Sequence, residues 1–371
     1  MGGPVGGPVG GPVGGPVGGP GTLAQMYRRF GEADAAKVSP LYQRVALALS
    51  QSEEALRTVE AAPARARHPT VILAALHDLA LAGEAPALAV AYADGDGDAA
   101  AGAVIEALVR MRDAVIATAV RRRPLANQTG RCAVLYPAIA AAARRVGADA
   151  IGLIDVGCSA GLNLNVDRVG IGYSNGQTLG DRTSPVQMWS SIAGKQPVPG
   201  RALPQVVARA RIDLDPVDVT DPGDARWLRA CLPPDQPELA ARLEAEMALA
   251  ATAPPLLLSG DAVEVLPEAF ARVPDGALPV ILTTWALSQF PLEGRLRFLQ
   301  RLEDATVKGP VAWVSVEGVG VAPAIPTLAD RRASGHSILG LAVLGRSALH
   351  AEAVGRCWLQ GRYLEWLAAS D

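Results

Sequence analysis

Between Ile154 and Leu164 the chain reads IDVGCSAGLNL: an apolar run ending in an acid, a bend of small residues, then a new apolar pattern. A strand that stops at such a bend and restarts as a helix leaves backbone N–H groups pointing outward, where a ligand can reach them. The bend has no lysine and no Gly-Lys-Ser/Thr ending, which argues against a nucleoside triphosphate. By residue type alone it is either a ligand cradle or a tight strand-to-helix turn. Asp155, Gly157, Ser159 and Gly161 are its candidate binding residues, and Asn163 and Asp167, on the helix expected next, are candidates for lining a substrate pocket.

Other groups that do chemistry are sparse. Cys132, Cys158, Cys231 and Cys357 lie far apart and form no C-x-x-C pair, so free thiols in a reducing cytosol are expected, not a zinc knuckle or a disulfide framework. The DGDGD run at Asp94–Asp98 lacks the closing Glu of a calcium loop and reads as a solvated helix connection. His77 and Asp78 have no second cluster beside them to complete a metal site, so no metal is expected. With a net charge of −3 over 371 residues there is no basic stripe to track a phosphate backbone, which disfavours nucleic acid and favours a small-molecule partner. No stretch reaches the roughly 18 uncharged apolar residues of a membrane span, and no signal peptide is evident, so a cytoplasmic protein is expected.

The elements that must position these groups fall into three regions. Residues 1–21 carry tandem Gly-Gly-Pro-Val repeats, which favour a disordered tail because glycine loses much entropy on ordering and proline removes a donor at every fourth residue. Residues 22–130 show apolar positions at three- and four-residue spacing, an all-helical module expected to act as a lid. Residues 131–371 alternate apolar runs with helical ones: AIGLIDV, then a helix; PQVVARARIDL, LLLSGD, LPVILTTWAL and GPVAWVSVEG, each separated by helices. Five such runs predict parallel strands covered on both faces, an α/β, doubly wound, Rossmann-like, mainly parallel sheet. HSILGLAVL and ALHAEAVGRCWL then predict an antiparallel hairpin closing it. The segment 169–204, long for a connection in such folds, predicts short hairpin strands that either help cover the ligand bend or decorate the fold.

Five parallel strands followed by a hairpin resemble the class I methyltransferases, in which an acid-x-Gly-x-Gly-x-Gly bend follows the first strand; here Ser159 stands at the middle glycine. The resemblance implies S-adenosylmethionine as cofactor. It implies further that Asp213, in ARIDLDP, accepts the ribose hydroxyls, with Asp215 as second choice, and that Asp261 and Ala262 hold the adenine. At the fourth strand end, TTWALSQF, Trp285 is a wall for the sulfonium and Ser288 and Gln289 are substrate contacts. Glu317, ending the fifth strand, is the candidate base. The segments NQTGRCAVLYPAI, DVGCSAGLNLNVDR and RARIDLDPVDVTDPGDARWLRACLPPDQ resemble a bacterial family known as a domain of unknown function, number 2332, over about Leu23 to Trp366. That family implies no established reaction. Three readings stay open: methyl transfer to a small molecule; transfer or cyclisation of the aminocarboxypropyl group; and a noncatalytic nucleotide-sensing or partner-binding protein on the same fold.

Overall fold

Strong start and stop signals shape the helices of the computed structural model, which describes residues 20–125 and 130–368. The Gly-Gly-Pro-Val repeat over residues 1–19 lies outside the described residues; helix α1 (Pro20–Arg29) begins inside the span expected as tail. The described residues divide into two units, one of residues 20–125 with 219–244, the other of residues 130–218 with 245–368.

The first unit is helical. After α1 come α2 (Pro40–Gln51), α3 (Glu53–Glu60), α4 (Pro69–Leu81), α5 (Pro86–Asp94), α6 (Gly97–Arg110) and α7 (Arg112–Arg121). Ser39 caps α2 through its oxygen, which accepts from Tyr42 N at 2.9 Å, with Pro40 preset for the first helical position. The DGDGD run is a helix connection: Gly95 (φ 70°) ends α5, and Asp96 caps α6 by accepting from Asp98 N and Ala99 N. His77, its ring buried on α4, contacts the Leu232 carbonyl through Nδ1 at 3.0 Å, and Asp78 pairs with Arg226 at 2.8 Å. These bonds fasten the excursion 219–244 to α4 within this unit.

The second unit opens with α8 (Cys132–Val146) and is built on eleven strands. They are β1 (Ala150–Val156), β2 (Gly170–Tyr173), β3 (Thr178–Gly180), β4 (Gln187–Ile192), β5 (Gln205–Asp213), β6 (Leu256–Ser259), β7 (Leu278–Thr284), β8 (Val311–Gly318), β9 (Ser337–Gly345), β10 (Ala348–Trp358) and β11 (Tyr363–Trp366). Helices α9 (Pro222–Ala230) and α10 (Pro237–Ala251) lie in sequence between β5 and β6, α11 (Ala262–Ala271) precedes β7 and α12 (Leu292–Ala305) precedes β8. The strand order is β3-β2-β4-β11-β10-β9-β8-β7-β1-β5-β6, and most neighbours are parallel. Alternation along the strands gives two cores. Leu153, Val280, Leu282, Val314 and Leu341 pack with α8 on one face. Ile154, Ile281, Trp313 and Ala342 pack with α11 and α12 on the other.

Three expectations change. The helix predicted after the bend is one short 3-10 turn, Leu162–Asn165, because Asn163 and Asn165 are buried and Asn163 turns its amide inward onto Asp155. The segment 169–204, expected as short hairpin strands, extends the main sheet: β2 and β3 form an antiparallel pair, and β4 joins β2 on one side and β11 on the other. The β9–β10 hairpin is therefore internal to the sheet rather than its closing pair, and β11 beyond it is an element the sequence reading lacks. The cysteines are free thiols, and among the described residues no single helix is long and apolar enough to cross a membrane.

Candidate functional site at the strand carboxyl ends

β1 is buried from Ile151 through Val156 and delivers Asp155 to the α8 face, in register with Leu282 of β7. The chain then turns through Gly157 (φ 68°), Ser159 (φ 51°) and Gly161 (φ 71°). A Cβ on Gly157 would come within 2.6 Å of the Ala286 Cβ, so the bend lies against the turn that follows β7. Ser159 occupies a sparsely populated backbone region. It is held there from both sides, its N–H donating to Asp213 Oδ2 at 2.7 Å and its carbonyl accepting from Val217 N at 3.3 Å. Gly157 N donates to Ile212 O at 2.8 Å and Gly161 N to Cys158 O at 2.9 Å. These three amides of the bend are thus engaged inside the protein.

A buried polar cluster adjoins the bend on the α8 face. Asn163 Nδ2 donates to Asp155 Oδ2 at 3.0 Å and to Thr284 Oγ1 at 3.3 Å, and Arg131 Nη1 donates to the same Thr284 oxygen at 3.1 Å. Asp155 is fully buried, and its Oδ1 has no hydrogen-bond partner among the described residues. Burial pushes its carboxyl up to about 7; the Asn163 donor and the Arg131 charge pull the other way. Burial also depresses the Arg131 pKa, opposed by the charges of Asp155, Glu246 and Glu317.

Trp285 completes this cluster by leaving the strand. Alternation would send it to the α11–α12 face, but its left-handed backbone (φ 56°) returns the ring to the α8-face core. Its Nε1 donates to Ser337 Oγ at 2.8 Å, and the Arg131 guanidinium lies 4.9 Å from a ring centroid. The sequence reading puts this indole beside a sulfonium; here the protein's own cation already takes one face of the ring.

Asp213, half-buried at the end of β5, also accepts from Asp215 N through Oδ1 at 3.0 Å, while Asp215 itself is exposed. Gly260 N donates to Asp213 O at 3.0 Å, tying this end to the turn after β6. There Asp261 is an exposed cap of α11, accepting from Val263 N at 2.8 Å, and Ala262 is buried in the first turn. Asp167 pairs with Arg209 at 2.6 Å. Ser288 and Gln289 are exposed on the turn after β7, and Ser288 Oγ donates to Trp285 O at 3.2 Å.

Glu317 lies on the opposite face, in register with Ile338, whose side chain belongs to the α11–α12 core. Its Oε1 accepts from Ala286 N and Leu287 N, each at 3.0 Å, and its Oε2 has no hydrogen-bond partner among the described residues. Burial pushes this carboxyl up to about 7, against the pull of those amides and of Arg295.

The structure thus gathers Asp155, Gly157, Ser159, Gly161, Asn163 and Asp213 at the bend, with Trp285 joined to them through Arg131 and Thr284. Asp167, Asp261 and Glu317 serve in an ion pair, a helix cap and a backbone contact. Sequence reasoning misses Arg131, Thr284 and Glu246. Arg131 and Thr284 are 153 residues apart, so no local spacing flags their contact. Among the described residues no group of three or more His, Cys, Asp and Glu side chains is arranged to hold a metal ion.

No curated protein and no solved structure matches the chain. A family model described as "Uncharacterized protein conserved in bacteria (DUF2332)" matches residues 24–366, and the chain belongs to that family.

Proposed function

We propose that this protein binds S-adenosylmethionine at the carboxyl ends of β1, β5 and β7, on a fold of the class I methyltransferase type, and transfers a group from it to a small molecule. The observation that carries this reading is Asp213, fixed against the ligand bend at the end of β5. The five parallel strands β6-β5-β1-β7-β8 stand in the order third, second, first, fourth, fifth. In open sheets of this order ligands bind beyond the carboxyl ends, where the order reverses beside the first strand. A carboxylate offers about four acceptor positions, and the Ser159 and Asp215 amides use two of those on Asp213, leaving room for a ribose diol. The field of the buried acids Asp155 and Glu246, felt at Arg131, suits a ligand with a positive centre.

Bound S-adenosylmethionine supplies an electrophilic methyl or aminocarboxypropyl carbon beside a positive sulfur. On the protein's side, Asp155 Oδ1 takes the proton that an acceptor hydroxyl or amine gives up, and Asn163 orients the carboxyl through its other oxygen. Ser288 and Gln289 offer polar contacts to the small molecule.

The engaged amides of the bend favour a second reading, a nucleotide-sensing or partner-binding protein on the same fold. Incubation with S-adenosylmethionine and a panel of small hydroxyl and amine acceptors, followed by mass spectrometry, separates the readings. S-adenosylhomocysteine marks methyl transfer and methylthioadenosine marks the aminocarboxypropyl route. Tight binding with neither product selects the sensor, and no binding overturns the proposal.

A further inference from the structure

We infer that Glu317 is a positioning residue: with Arg295 it clamps the turn between β7 and α12 and so sets Trp285 and the Arg131 guanidinium stacked on it. The turn is gripped on both kinds of backbone group. Glu317, from β8, takes the N–H groups of Ala286 and Leu287. Arg295, from α12, donates to Phe290 O at 3.0 Å, to Ser288 O at 3.4 Å and to Val321 O at 3.5 Å. Between β7 and these two grips sits Trp285 in its left-handed conformation, which a side chain this bulky adopts only when its surroundings impose it. The clamped residue Ala286 also touches Gly157, so the same turn fixes one wall of the ligand bend.

Glu317 lies on the face opposite Asp155, lining a narrow hollow with Gly318, Gly320, Ala322, Ile325, Pro326 and Ile338. Its reach into the α8-face cluster therefore runs through the turn. The charged groups that act on it are Arg295 from α12 and Arg131 from the start of α8. An ionised Glu317 holds the two amides by charge-assisted bonds and a protonated one holds them less tightly, so these two bonds strengthen as the carboxyl ionises near pH 7, against the rising cost of burying its charge.

The inference rests on the reading that these strand ends are the functional site, but its test needs no ligand. In protein carrying 15N-labelled tryptophan, the Trp285 indole N–H signal is the one absent from Trp285→Phe. It is expected to titrate with a midpoint near 7 in the wild type, and Glu317→Gln is expected to abolish that titration while the other five indoles stay unchanged. Arg295→Gln serves as the second variant, with hydrogen exchange at Ala286 and Leu287 expected to quicken by about tenfold or more. An unchanged indole titration in Glu317→Gln overturns the inference, as does its loss in Asp155→Asn alone. A wild type that shows the titration yet binds no S-adenosylmethionine refutes the proposed cofactor and leaves the clamp standing.

Discussion

At the end of β1 a buried carboxyl is held by a side chain, Asn163, in the field of Arg131; at the end of β8 another is held by two backbone amides. Burial pushes both up to about 7, and each keeps one oxygen without a hydrogen-bond partner among the described residues. Titration alone would give the two acids equal claim to a chemical role. Their partners separate them. Side-chain amides and hydroxyls can rotate when a ligand arrives, whereas the Ala286 and Leu287 N–H groups belong to a turn that would have to refold. On the proposed reading this suits Asp155 to chemistry and Glu317 to holding the backbone of the turn after β7.

The contrast breaks most visibly by truncation. Glu317→Ala strands two amides of buried residues, a loss of about 2–4 kcal/mol, while Asp155→Ala frees an Asn163 amide that can turn to another partner and costs less. Urea denaturation of both variants measures this, and equal losses would erase the distinction.

A smaller effect tests the contact between the two loops. Gly157→Ala meets both a positive φ and the Ala286 methyl 2.6 Å away, whereas Gly176→Ala meets a positive φ alone, with nothing within 4 Å. We expect Gly157→Ala to lose about 1–3 kcal/mol more than Gly176→Ala. Equal melting temperatures would show that the bend and the turn move independently.

The smallest effect sharpens the comparison through pH. Both carboxyls bind protons more tightly folded than unfolded, so between about 4 and 7 the folded chain carries more protons, and their contribution to stability falls as pH rises. Asp155→Asn removes its share of that fall while keeping an acceptor for Asn163. Chemical denaturation at pH 5 and pH 8 is expected to show a smaller drop in the variant than in the wild type; equal drops would mean that Asp155 does not titrate in this range.

What the sequence reveals follows the range of the interactions. The central strands are legible because each is a nearly continuous apolar run covered on both faces, and Gly157 and Gly161 are legible because left-handed turns favour glycine. The helix after the bend is misread because LNLNV has an apolar rhythm, yet Asn163 is drawn inward by Asp155 and by Thr284, 121 residues away, and Asn165 is buried beside it. The pairing of β4 with β11 joins segments some 170 residues apart through a strand of only four residues, too short for alternation to show. Arg131 has the same cause of invisibility: a lone arginine before an apolar helix becomes notable only when Thr284 and Trp285 arrive beside it.

Calorimetric titration of S-adenosylmethionine into the wild type, Asp213→Asn and Asp215→Asn tests the central claim most directly. Charge-assisted bonds from a ribose diol are worth about 1.5–3 kcal/mol. Asp213→Asn should therefore weaken binding by roughly tenfold to a hundredfold, while the exposed Asp215→Asn stays near the wild type and both variants keep the wild-type melting temperature within a few degrees. No heat with the wild type would contradict the cofactor, and equal losses in the two variants would contradict the role given to Asp213.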